Sequence, residues 1–171
     1  MNDADLWTTV VGQSAAVDLL RTAVASPVHA YLFVGPDGAG RAEAARAFAG
    51  SLFAEGADSD RAARHRRLAA AGSHPDLVLV EPEGRALLIA DARRVITEGW
   101  RSPVEADRKV IVVDRFDTAE PEAAASLLKT IEEPPATVVF VLLAAEVPDF
   151  HATVASRCVR VDLPPLGDDV L

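Results

Sequence analysis

Cysteine occurs once in the 171 residues, at Cys158. A lone thiol excludes an internal disulfide and any Cys-rich zinc module. Lysine is nearly as scarce, with Lys109 and Lys129 the only two among 17 basic residues. No apolar run approaches the roughly 20 residues of a bilayer span. The first residues, Met1-Asn-Asp-Ala-Asp-Leu-Trp7, lack the basic start and apolar centre of a secretory leader. Together these absences predict a cytoplasmic chain with no membrane attachment. Positive charge is also short, since 26 acidic residues against 17 basic leave a formal charge of −9. That excludes a free-standing nucleic-acid binder held by a broad basic surface, while leaving room for contacts shared across a larger assembly.

The composition is otherwise ordinary for a globular chain, half hydrophobic and a quarter charged. The length suits one domain with a sizeable core. There is no internal repeat and no low-complexity segment.

The most informative stretch is 31–48. An apolar run, Tyr31 to Val34, feeds a glycine-rich turn, Gly35-Pro-Asp-Gly38-Ala-Gly40, and an alanine-rich helical pattern follows directly. A strand, a tight loop and a helix N-terminus in that order make an anion cradle, because unpaired backbone N–H groups and the helix dipole converge there. The complete phosphate-binding loop reads G-x-x-x-x-G-K-[ST]. Gly35 and Gly40 keep its spacing, but Arg41 stands at the lysine position and Ala42 at the hydroxyl position.

Periodicity predicts the remaining elements. Residues 6–12 read as an extended lead-in, and a helix capped by Ser14 ends at Ser26-Pro27. A strand follows over 30–34, then a helix over about 40–53 with Ala45, Phe48, Ala49 and Leu52 on its core face. A short helix over about 59–70 carries Arg61, Arg64, His65, Arg66 and Arg67, which suit either a solvated face or a local basic patch. Strands are predicted at 77–80, 109–114, 138–144 and 159–163, with a short one at 87–89. Helices are predicted from near Asp91 to Ser102, over 120–132, and over 151–155. Strands that are apolar throughout, alternating with helices, imply a parallel sheet covered on both faces. Ligands of such sheets sit at the carboxyl ends of the strands.

Asp114 ends the run Lys109-Val-Ile-Val-Val-Asp114 at that same edge. A strand-terminal carboxylate downstream of a phosphate loop is the Mg²⁺-holding half of an NTPase site, or else simply caps a turn. The next residue is Arg115, a fixed cation that cannot act as a general base.

Several ordered stretches carry a resemblance over essentially the whole chain. They are Val11-Gly-Gln13, His29-Ala-Tyr-Leu-Phe-Val-Gly-Pro36, Gly72-Ser-His-Pro-Asp76, Leu127-Leu-Lys-Thr-Ile-Glu-Glu-Pro-Pro135 and Ser156-Arg-Cys158. The last two are the most specific. The chain resembles the AAA+ module of the bacterial DNA polymerase III clamp-loader family, its delta-prime branch in particular. The resemblance implies a P-loop NTPase-like α/β fold with a five-stranded parallel sheet and helices on both faces. It assigns residues 1–163 to that module and 164–171 to the start of a lid and collar.

In that family the hydrolysing gamma/tau members keep the loop lysine and hydroxyl, an acidic pair and a polar sensor. Arg41-Ala42, Asp114-Arg115 and Ala144-Ala145 replace them here. The resemblance therefore implies no ATP hydrolysis, weak or absent ATP binding, and Gly35, Gly38, Gly40, Arg41 and Asp114 as a vestigial phosphate and Mg²⁺ site. It makes Arg157 an arginine finger acting in trans, against the plainer reading of a pair with a local carboxylate such as Asp162. It implies gamma/tau and delta subunits as partners, with the sliding clamp and primed DNA reached through the assembly. Residues 54–72 lack the cysteines with which many relatives bind zinc, so no zinc and no other metal is expected. An active gamma/tau-type ATPase and a nucleotide-sensing regulatory module are the rival readings.

Overall fold

Tyr31-Leu-Phe-Val34 and Val138-Val-Phe-Val-Leu-Leu-Ala144 are apolar at every position, and both become central strands whose residues are all buried. The structure, a computed structural model, describes residues 1–167. Residues 168–171, the end of the stretch expected to open a lid and collar, lie outside the described residues.

The elements run α1 (Asp3–Trp7), α2 (Ser14–Ala23), β1 (Ala30–Val34), α3 (Arg41–Ala54), α4 (Ser59–Ala70), β2 (Leu77–Val80) and α5 (Ile89–Gly99). There follow β3 (Lys109–Val113), a 3-10 turn (Phe116–Thr118), α6 (Pro121–Glu132), β4 (Val138–Ala144), α7 (Ala152–Ala155) and β5 (Val159–Asp162). The five strands form one parallel sheet in the order β2-β3-β4-β1-β5.

Alternate residues of each strand serve opposite faces. Tyr31 and Phe33 pack with Leu6, Leu20, Phe48 and Phe53 beneath α1 to α4. Leu32 and Val34 join Ile111, Phe116, Leu127 and Phe140 beneath α5, α6 and α7. The chain leaves β1, crosses to the sheet edge at β2 and returns through β3 to β4, so the strand order reverses around β1. The glycine loop leaves the sheet at that reversal, where a crevice opens between loops running opposite ways.

The lead-in expected over 6–12 is instead partly helical, as α1. Asn2 and Asp5 cap it reciprocally, with the Asp5 N–H donating to Asn2 Oδ1 at 2.8 Å. Leu6 and Trp7 are buried, and the Trp7 indole N–H donates to Ser51 Oγ at 3.2 Å. The β-branched run Thr8 to Val11 suggested an extended segment, but burial of Leu6 and Trp7 against α3 decides otherwise. Ser14 opens α2 rather than capping it; Gln13 holds the cap position. No strand forms at 87–89, because the Leu87 N–H and C=O are engaged by Thr118 Oγ1 and Glu120 N–H. Ile89 already belongs to α5, and Asp91 accepts from the Leu88 N–H at 3.0 Å. The predicted helix over 151–155 shortens to α7 after a 3-10 turn, Asp149–His151.

Helix α3 is buried over 44–54, except at the half-buried Arg46, rather than along one face, since α1 and α4 cover it from the side away from the sheet. At Gly50 a Cβ would come within 3.0 Å of Leu6 and 3.1 Å of Ala69. Of the two readings of the α4 run, a solvated face or a local basic patch, no patch forms; the residues go to separate partnerships, with His65 buried, Arg64 paired with Glu105, and Arg66 facing Asp3 at 4.0 Å.

Candidate functional site

Gly35 is required by a close approach. A Cβ there would lie 2.1 Å from the Leu163 carbonyl oxygen, while the Gly35 N–H donates to Ala144 O at 3.1 Å. Gly38 and Gly40 take φ of 83° and 87°, the left-handed region open to glycine, and Gly40 caps α3. Beside them lies a cavity of about 400 Å³ lined by Gly38, Gly40, Arg41, Ala42, Asp114 and Leu143, among others. The fold thus joins loop and strand-end carboxylate across more than seventy residues of chain. Gly35 shapes the loop from below and is not on the cavity wall.

The chemistry of the wall departs from a hydrolytic site. The Arg41 Nη2 donates to Asp37 Oδ1 at 2.7 Å, so an acid of the same loop already takes its charge. Ala42 offers a methyl where a hydroxyl would hold Mg²⁺. Asp114 Oδ1 accepts from the Arg115 N–H at 2.8 Å. Arg115 itself has φ of 49°, left-handed for a bulky residue, and its guanidinium donates to the Pro82 and Gly84 carbonyls. It is fastened to the β2–α5 loop and does not line the cavity. Ala144 closes β4 without a polar side chain.

One residue behind the glycine loop was not legible in the sequence as a structural tie. Gln13 is buried, and its Nε2 donates to Ala39 O at 2.9 Å and Pro164 O at 2.8 Å. It fastens the glycine loop to the chain after β5. Its Oε1 is buried without a hydrogen-bond partner. In the sequence, Gln13 stood out only as part of Val11-Gly-Gln13.

Arg157 follows α7 and does not line the cavity. Its Nε and Nη2 both stand 2.9 Å from Glu132 Oε1, while Nη1 donates to Ser156 Oγ and Thr153 O. A pair with a local carboxylate does form, as the plainer reading expects, though not with Asp162, which is held by Arg160 at 2.8 Å. The local carboxylate is Glu132, so the two most specific sequence stretches meet in space. Burial pushes the neighbouring Cys158 thiol up to about 12, as suits a packed small side chain and not a nucleophile.

A second polar cluster lies between α4 and the β2 and β3 approaches. His65 Nδ1 and His74 Nε2 are 2.8 Å apart, with a Glu105 carboxylate oxygen within 4.8 Å. His74 Nδ1 accepts from the Asp76 N–H at 3.0 Å, so its proton sits on Nε2 and is donated to His65. A metal would need the Nε2 lone pair and would drive a proton onto Nδ1, against the Asp76 N–H. Desolvation lowers both imidazole pKa values, helped by Arg61 at His65 and by the neighbouring ring at His74.

Comparison with known proteins agrees with this architecture. The protein family described as DNA polymerase III, delta subunit matches residues 12–167. The chain is 34% identical over 140 residues to DNA polymerase III subunit delta-prime of Bacillus subtilis, covering 81% of this chain and 43% of that one. It is 30% identical over 148 residues to the delta-prime subunit of Pseudomonas aeruginosa, covering 84% and 45%. It is also 30% identical over 158 residues to the tau subunit of Bacillus subtilis, covering 90% and 28%. The chain therefore spans less than half the length of these curated relatives. Among solved structures, a DNA polymerase III gamma subunit-related protein of Thermotoga maritima superposes with a TM-score of 0.65 at 23% identity, over 90% of this chain and 47% of that one. RuvB of the same organism superposes at 0.58 and 16% identity, over 89% and 45%. These likenesses establish a P-loop NTPase-like, AAA+ α/β fold. With the match extending over residues 12–167, the chain belongs to the DNA polymerase III, delta subunit family, and it is of the delta-prime type.

Proposed function

We propose that this chain is the AAA+ part of a non-hydrolysing clamp-loader subunit that presents Arg157 to the ATP site of a neighbouring gamma/tau-type subunit. The observation that carries the reading is the division of labour between its two charged sites. The glycine-loop cavity has its cation neutralised by Asp37, no hydroxyl at Ala42 and no acid at Arg115. Arg157, by contrast, is 42% exposed at the chain's surface. A guanidinium in that setting can meet charge developing on a phosphoryl group bound by another subunit. On this reading the partners are gamma/tau and delta subunits, with the sliding clamp and primed DNA engaged through the assembly. The work is done in the cytoplasm, as the lack of any described helix long and apolar enough to cross a membrane allows. No zinc is needed, since the hydrogen bonds at His65 and His74 complete that site without it.

The test is ATP turnover, stimulated by clamp and DNA, in the assembled loader carrying the whole subunit. Arg157→Ala should lower turnover at the site it serves by roughly a thousandfold or more. Unchanged turnover would sink the assignment. A second reading keeps the cavity as a structural nucleotide site, favoured by its volume of about 400 Å³. Calorimetric titration with Mg-ATP separates the two, because micromolar binding to this chain alone would favour the second.

A further inference from the structure

Arg157 does not wave freely from the surface. Nε and Nη2 converge on the single oxygen Glu132 Oε1, and Nη1 reaches Ser156 Oγ at 2.9 Å and Thr153 O at 3.2 Å. Its own chain thus grips the guanidinium on two edges, yet the side chains of Arg157 and Glu132 remain 42% and 41% exposed. An ion pair so open adds little to folding stability. Nor does helix α6 explain the carboxylate, because Glu132 is its last residue, where a negative charge opposes the helix dipole. After the capping residue Glu133, Pro134 and Pro135 keep the helix from continuing, so Glu132 stands on a fixed helix end.

We infer that Glu132 is a positioning residue for Arg157, holding the guanidinium in one orientation at the surface so that it meets the neighbouring subunit's phosphoryl group already ordered. The inference rests on the reading of Arg157 as a finger. An unrestrained arginine has several rotatable bonds to order before it can reach a phosphate, and that ordering opposes the transition state. The Glu132 carboxylate does the ordering in advance, with Ser156 and the Thr153 carbonyl as the second edge of the grip.

The experiment compares Glu132→Ala, Glu132→Gln, Arg157→Ala and the Glu132→Ala/Arg157→Ala pair in the assembled loader, with ATP turnover measured against ATP concentration. Glu132→Ala should lower kcat roughly three- to tenfold with KM unchanged, the scale expected when a long side chain regains its rotamers. Glu132→Gln keeps an acceptor oxygen at the same reach and should recover most of the loss. On the Arg157→Ala background, removing Glu132 should change nothing more. An unaltered or raised kcat in Glu132→Ala, or a further loss in the double variant, would overturn the inference. If Arg157→Ala lowers turnover and Glu132→Ala does not, the finger stands and only the positioning role falls. If Arg157→Ala itself has no effect, the finger reading falls first. A thermal midpoint unchanged by either Glu132 substitution separates these outcomes from misfolding.

Discussion

A methyl group on Gly35 would enter the van der Waals shell of the Leu163 carbonyl, at 2.1 Å. Neither partner can yield cheaply, since Leu163 is itself pinned by its N–H to Val34 O at 2.7 Å. Gly35→Ala should therefore destabilise the fold by about 3 kcal/mol, at the upper end for overpacking. Gly84, with nothing within 4 Å of its would-be Cβ, is the control, and Ala there should stay within about 0.5 kcal/mol. Urea unfolding midpoints measure both, and equal midpoints for the two variants would contradict the steric account. Spacing alone marked Gly35 as a loop residue. Its close approach to Leu163 was not legible, because that contact joins residues more than a hundred positions apart. The same holds for Arg157: its type and motif were readable, whereas its partner could be named only once α6 and α7 were packed together.

At the scale of elements, the join between α4 and the β2 and β3 approaches depends on two neutral imidazoles. His65 and His74 are buried against each other, and Phe53 stacks on His74 at 4.1 Å between ring centroids. Asp76, equally buried, accepts the N–H groups of Val104, Glu105 and Ala106 and so holds the following loop. Both imidazole pKa values lie below the ordinary 6.5. The unfolded chain then binds more protons than the folded one once the pH drops below that value. Stability should be complete above about pH 6.5 and decline progressively as pH falls below it. Urea midpoints between about pH 7.5 and 5 are the measurement, and a His65→Gln/His74→Gln variant should show a shallower decline. An equally steep decline in that variant would mean other groups carry it. Helical periodicity predicted α4 itself, with the same bounds as observed. The burial of His65 was not predicted, since the run Arg61 to Arg67 reads as a polar face, and only the docking of α4 on α3 turns it inward with Ala62 and Ala69.

The molecule as a whole combines a nucleotide-binding frame with the loss of the groups that would use it. Those losses lie at three places: Arg41 and Ala42 opening α3, Arg115 after β3, and Ala144 ending β4. Restoring the loop alone should separate binding from turnover. Arg41→Lys/Ala42→Ser should tighten Mg-ATP binding by about tenfold, the worth of one added charge-assisted contact. Turnover by the isolated chain should stay at background, because Arg115 remains bound to the Pro82 and Gly84 carbonyls and supplies no base. Calorimetry and phosphate release read the two effects separately, and measurable hydrolysis by the double variant would show that the remaining losses are not decisive.

The fold class, all five strands and the phosphate-loop frame follow from the sequence by itself, because apolar runs, helical spacing and glycine punctuation are local signals that report burial directly. The defects in the loop are equally local, being substitutions at fixed offsets. Tertiary structure alone decided that Arg115 turns away, that Gln13 ties the loop to the chain after β5, and that Arg157 rests on Glu132. Each of these depends on which residues the parallel crossovers bring together, and no local pattern encodes that distance.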